Sequence, residues 1–84
     1  MKKVKYNNKT IPLPYSGMAV AKDYNEIVKV SNRFTGESVE LPSFAVSVYD
    51  VIIGCEMMQM YSKQATGLAW FRKYFPNEYM IILD

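Results

Sequence analysis

Histidine is absent from this chain, cysteine occurs once, and eight carboxylates are scattered over 84 residues. Each scarcity excludes a mechanism. Ser–His and Cys–His nucleophilic pairs need an imidazole base, and structural zinc needs about four Cys or His ligands, so neither can be built. One cysteine forms no internal disulfide, whereas small secreted domains usually carry several; with no signal peptide at the start of the sequence, a reducing cytoplasm is the expected compartment. Long hydrophobic runs are missing too. The longest apolar stretch, residues 44–60, is broken by Ser47, Asp50, Gly54, Glu56 and Gln59 and is too short and too charged to span a bilayer. Four glycines and four prolines are too few for a low-complexity chain. No enzyme, no cofactor and no metal are therefore expected.

What is present is a globular composition: 50% of residues are apolar or Tyr and 21% are charged. A chain of this length is one domain and buries only about 60 to 65% of the surface it exposes when unfolded, so modest stability is expected. The net charge of +2 conceals an asymmetry. Residues 1–33 carry seven Lys or Arg against Asp23 and Glu26, a balance of +5, which leaves −3 for the remainder. The two halves can present different faces.

The front half leans to strand. Residues 3–6 alternate Lys with apolar side chains, Asn7-Asn8-Lys9 is turn-forming, and residues 10–13 form a second arm that Pro12 and Pro14 confine to an edge. The stronger hairpin spans residues 26–34 and 38–41, with Gly36 supplying a residue able to take positive φ. By the two-residue period Val28, Val30, Asn32 and Phe34 share one face, which Val39 and Leu41 continue, and Ile27, Lys29, Ser31 and Arg33 share the other.

The back half reads as helix. Pro42 stops the strand, Ser43 is a competent N-cap, and residues 44–61 place Phe44, Val48, Val51, Cys55 and Met58 on one stripe that Ala45, Tyr49 and Ile52 widen. Ile53, Met57 and Met60 carry the apolar surface onto the far flank, leaving only a narrow polar strip. Ser62 is placed to cap a second helix over residues 63–75, with Leu68, Phe71 and Phe75 on one stripe and Trp70 and Tyr74 beside it. Pro76 suits the first position of a short third helix over residues 77–84, although a last strand also fits that run. The expected architecture is α+β: a two- to four-stranded antiparallel sheet from the N-terminal half packed on the C-terminal helices.

Three constellations have functional readings. The over-apolar helix is either central, covered on several sides, or partly an interface for a second copy or a partner protein, with Ile53, Met57, Met60 and Tyr61 as the candidate contacts. Trp70-Phe71-Arg72-Lys73-Tyr74-Phe75 with Tyr79 interleaves cations and aromatics as single-strand nucleic-acid platforms do, though the same spacing describes a core helix with a solvated basic end. The basic residues Lys2, Lys3, Lys5, Lys9, Lys29 and Arg33 suit phosphate or an acidic partner. Cys55 reads as a small buried hydrophobe, and Asp50 and Glu56 lie too far apart around a helix to act as an acid–base pair.

The run Asn32-Arg33-Phe34-Thr35-Gly36-Glu37-Ser38-Val39-Glu40-Leu41, then Ala45-Val46-Ser47-Val48-Tyr49-Asp50, and finally Trp70-Phe71-Arg72-Lys73-Tyr74-Phe75-Pro76-Asn77-Glu78-Tyr79-Met80, resembles a group of small uncharacterised proteins of marine tailed phages. The resemblance covers about residues 30–84. It implies a protein made during infection in the host cytoplasm, of a size typical of accessory proteins that bind host machinery, and is equally compatible with a minor virion or nucleic-acid accessory role. A non-catalytic, self-associating protein-binding module is the expected function, with nucleic-acid binding through the basic front as the alternative.

Overall fold

Two asparagines in succession begin the fold. In the computed structural model, which describes residues 3–15, 23–32 and 34–83, Asn7 and Asn8 both take left-handed backbone angles, φ 50° and 64°. Such a pair makes the tight turn whose twist matches a hairpin, and asparagine tolerates it better than any residue but glycine. Strands β1 (Lys3–Tyr6) and β2 (Lys9–Pro12) pair antiparallel across it, with Val4 opposite Ile11 on the buried side. Pro12 ends β2 as an edge position requires, and its carbonyl accepts a 2.7 Å hydrogen bond from the Trp70 indole.

The second hairpin, β3 (Ile27–Ser31) with β4 (Ser38–Pro42), forms a separate two-stranded antiparallel sheet. Val28 faces Leu41 and Val30 faces Val39, which is the expected apolar side. Asn32 and Phe34 do not continue that side, because the strand stops at Ser31. The Asn32 carboxamide oxygen accepts the backbone N–H groups of Phe34 (2.7 Å) and Thr35 (3.2 Å), its amide donates to the Ile81 carbonyl at 2.8 Å, and Gly36 completes the turn at φ 78°. Phe34 is consequently 87% exposed.

Helix α1 (Ser43–Met57) follows β4 without a linker. Ser43 is its first residue and Pro42 occupies the cap, so the expected Ser43 cap is not made. The reason is tertiary: the Ser43 and Phe44 N–H groups donate to the carbonyls of Glu26 (2.7 Å) and Tyr24 (3.0 Å), which satisfies donors that a serine hydroxyl otherwise would. The helix ends near Met57, earlier than periodicity predicts. Gln59 turns left-handed at φ 58°, Gln59 N–H bonds to the Glu56 carbonyl and Met60 N–H to that of Cys55, the paired bonds of a Schellman reversal.

Helix α2 (Tyr61–Tyr74) starts directly after this reversal, with Met60 rather than Ser62 at its cap and no side-chain cap bond. Phe75 closes α2 and opens α3 (Pro76–Ile82), in which Pro76 stands in the first turn. Among the described residues two hairpins and three helices thus form an α+β fold with its strands against the C-terminal helices. At the junction lies Phe44, 1% exposed, its ring centroid 5.6 Å from Tyr6, 6.3 Å from Tyr24, 6.2 Å from Trp70 and 6.0 Å from Phe75. Among the described residues no helix is long and apolar enough to cross a membrane.

Tyr15 locks the chain after β2 to α2. Its hydroxyl donates a 2.6 Å hydrogen bond to the Lys63 carbonyl, and the Lys63 ammonium lies 5.6 Å from its ring centroid. Burial raises the Tyr15 pKa above its ordinary value of 10.0, and negative charge on nearby Cys55 adds to the rise, partly offset by a hydrogen bond from the Gly67 backbone. A pKa raised on folding means that the native state holds the phenolic proton more tightly. The contribution is complete below about pH 10 and is lost as pH climbs through the raised value. Tyr15→Phe is expected to cost about 1 kcal/mol near neutrality through the lost hydrogen bond. In urea unfolding followed from neutral to strongly alkaline pH, the gap between wild type and variant should narrow above pH 10; a constant gap contradicts this account.

Candidate interaction surface

Helix α1 has a covered body and a bare end. Phe44, Ala45, Val48, Ile52 and Cys55 are buried, and Val51 and Ile53 are half-buried. The second hairpin and α2 pack against this body, and the first hairpin reaches its start through Tyr6, as the reading of a central helix expects. At the reversal the cover stops: Met57 is 76% exposed, Met58 72%, Met60 42% and Tyr61 62%.

Ile53, Met57, Met60 and Tyr61, the four residues singled out from sequence, gather at or beside this α1–α2 corner. Met58 joins them. Periodicity places it on the core stripe, but the helix has ended before it and its backbone (φ −96°, ψ 4°) is no longer helical. A left-handed glutamine carries no sequence signal of helix termination as glycine does, so the early end was not legible. The available signal was a different one: residues 57–62 form a run without a single charge.

The aromatic segment turns inward. Trp70, Phe71 and Phe75 are at most 6% exposed and pack on one another and on Phe44. These rings present no stacking platform. Arg72 and Lys73 remain exposed, near the rings of Tyr79 (5.8 Å) and Tyr74 (5.4 Å). Cys55 is 4% exposed and sits in the core, as its place on the stripe predicts.

The basic residues do not share one face. Lys3 and Lys5 flank buried Val4 and so lie on the outer side of the first hairpin, while Lys9 lies at its tip on the opposite register. Lys29 stands directly across the ladder from Glu40, an opposite-charge pair that partly neutralises it. Lys2 and Arg33 lie outside the described residues.

Glu26 has its carboxyl pKa raised because its protonated form donates a hydrogen bond to the Asp23 carboxylate and because the charge of that neighbour disfavours ionisation, but both groups are exposed at the entry to β3. An open groove of about 330 Å³ is lined by Pro12, Leu13, Pro14, Thr66, Ala69, Trp70, Lys73 and Tyr74. It contains no carboxylate and no nucleophile–base pair, so it lacks the convergent ionisable groups of an active site. Among the described residues no three His, Cys, Asp or Glu side chains converge on a metal position. Compared with known proteins, the chain matches no family model, no curated protein and no solved structure.

Proposed function

We propose that this protein is a non-catalytic protein-binding module that works by self-association through the α1–α2 corner. The observation that carries the reading is the exposure of Met57, Met58, Met60 and Tyr61 together at one end of the α1–α2 pair. Methionines adapt their shape to a facing surface, and an aromatic beside them provides an anchor with little rotamer entropy to lose. The corner carries no charge from residue 57 to 62, so a second copy of the same surface meets it without like-charge repulsion. An acidic or basic partner gains nothing there. A phage-encoded accessory protein acting in a host cytoplasm is the setting that the resemblance of residues 30–84 supports.

Sedimentation equilibrium over a wide concentration range tests the reading. The wild type is expected to approach twice the monomer mass, and the double variant Met57→Glu with Met60→Glu to remain monomeric while keeping its circular dichroism and melting behaviour. A wild type that stays monomeric at millimolar concentration removes the proposal. Binding of nucleic acid is supported only by exposed Lys3, Lys5 and Lys9, and their division between two sides of a hairpin favours it less.

A further inference from the structure

Each strand of a two-stranded sheet leaves one edge unpaired, and the four strands of this fold treat that edge differently. On β1 the Lys5 N–H lies 3.5 Å from the Tyr24 hydroxyl, and the Lys5 carbonyl accepts a 3.0 Å bond from the Asn25 amide. On β2 Pro12 has no N–H to offer and its carbonyl is taken by Trp70. On β4 Pro42 likewise lacks a donor, and α3 packs against the strand. The edge of β3 is different. The Glu26 carbonyl accepts the Ser43 N–H and the Asn32 N–H donates to the Glu37 carbonyl, so the alternation of an antiparallel ladder turns the backbone groups of Val28 and Val30 toward β4 and those of Ile27, Lys29 and Ser31 away from it. Among the described residues no hydrogen bond reaches these three outward N–H and three outward C=O groups. The side chains agree. Ile27 is 50% exposed, and Val28, which shares a face with buried Val30 and stands opposite buried Leu41, is still 37% exposed. The core-side face of this hairpin is therefore bare along its outer margin.

From this we infer that the β3 edge binds an extended segment of another protein, which adds as an antiparallel third strand with an apolar side chain over Val28 and a carboxylate beside Lys29. A row of alternating backbone donors and acceptors at strand spacing is met in full only by a second extended backbone. A second copy of this chain is the poorer occupant. The two-fold antiparallel register that uses every outward group sets Lys29 directly against Lys29 of the other copy, and like charges so placed repel. The neighbouring register, with Ile27 against Lys29, avoids that contact but leaves Ser31 without a partner. Lysine at an edge guards against self-pairing, and a carboxylate on a foreign strand turns the same residue into an attraction. The edge begins where α1 starts, since Glu26 accepts the Ser43 N–H, whereas the α1–α2 corner lies at the other end of that 15-residue helix, about 20 Å along its axis. The two surfaces are separate, and the inference holds whether or not the corner self-associates.

The probe is the acetylated and amidated peptide Thr-Val-Glu-Val-Thr, titrated into isotope-labelled protein whose amide resonances are followed by NMR. Its central Glu stands opposite Lys29 and its two Val opposite Val28 and Val30. Saturable shifts are expected at the amides of Ile27, Lys29 and Ser31, and smaller ones at Val28 and Val30, whose N–H groups are already engaged. The peptide with Lys in place of Glu should bind about fivefold more weakly, and the Glu peptide methylated on its central backbone nitrogen about tenfold more weakly. Lys29→Ala leaves the backbone edge intact and should bind the Glu and Lys peptides alike. No saturable shift at millimolar peptide, or shifts centred outside β3, overturns the proposal. Equal binding of the Glu and Lys peptides by the wild type overturns the acidic partner, and an unimpaired methylated peptide overturns strand addition. Protection of the Ile27, Lys29 and Ser31 amides from deuterium exchange that grows with protein concentration in the absence of peptide gives the edge to a second copy, which also overturns it.

Discussion

Phe44→Ala is expected to abolish the cooperative thermal transition or to lower its midpoint by well over 10 °C. The side chain is 1% exposed and touches rings from both halves of the chain: Tyr6 on β1, Tyr24 ahead of β3, Trp70 on α2 and Phe75 at the α2–α3 junction. Truncating a buried phenylalanine costs about 3 to 5 kcal/mol, because the apolar transfer energy is lost and the surrounding rings collapse only partly into the space. Domains are stable by about 0.05 to 0.15 kcal/mol per residue, which for 84 residues is about 4 to 13 kcal/mol. The loss therefore takes about a quarter of the total or more, and at 4 to 8 °C per kcal/mol the midpoint moves far. Met80→Ala is the matched control, since that side chain is 66% exposed and its removal should stay within about 0.5 kcal/mol. Comparable melting of the two variants in a calorimeter contradicts the placement of Phe44 at the centre of the core.

Two glycines on the paired helices should respond in opposite directions to the same substitution. At Gly67 an added Cβ lands on the Tyr15 hydroxyl and comes within 2.6 Å and 3.0 Å of the Ile52 side-chain carbons. Neither neighbour can yield easily: Tyr15 is held by its bond to the Lys63 carbonyl, and Ile52 is 1% exposed in the core. Overpacking of this kind costs about 1 to 3 kcal/mol, and the contact is closer than ordinary packing allows, so it outweighs the roughly 1 kcal/mol that alanine gains over glycine in a helix. Gly67→Ala should lower stability and separate α1 from α2. At Gly54, on α1, a Cβ meets nothing within 4 Å, so only the propensity gain remains and Gly54→Ala should stabilise by about 0.5 to 1 kcal/mol. Urea midpoints measured side by side decide it; a stabilising Gly67→Ala would mean that the helices are not packed as closely as Gly67 permits.

Much of the local structure was legible, and the residues that made it so share a property: their effect is confined to a few neighbours along the chain. Asn7-Asn8 announced the first turn, Gly36 the second, and Pro76 the start of α3, since each bears directly on backbone φ. The alternation of Val28 and Val30 with charged or polar neighbours gave the face of the second hairpin, and helical spacing gave both long helices. The errors have the opposite character. Ser43 and Ser62 looked like caps, but the first N–H groups of α1 are taken by carbonyls near residue 25, and α2 begins at the Gln59 reversal without a side-chain cap. Asn32 looked like a strand residue, but its side chain organises the turn and holds the Ile81 carbonyl 49 positions away.

The candidate surface divides in the same way. Ile53, Met57, Met60 and Tyr61 could be singled out because an apolar flank on a helix is a periodic pattern, whereas whether neighbours cover that flank depends on where the other elements pack. Helix periodicity even put Met58 on the core stripe, because periodicity assumes that the helix continues.

By itself, the sequence determined the inventory of chemistry, the class of fold, and the turns. No histidine and one cysteine exclude their mechanisms however the chain folds, and the period of apolar residues commits the longer segments to helix or strand, though not the short run over residues 77–84. The tertiary structure alone decided direction and exposure. It turned Trp70, Phe71 and Phe75 from a possible binding platform into a core, joined Tyr15 to Lys63 and Trp70 to Pro12 across 48 and 58 positions, and left the α1–α2 corner bare. Those outcomes depend on contacts between distant residues, whose closure entropy is repaid only when many buried surfaces meet at once, and no local pattern in the chain records which surfaces they are.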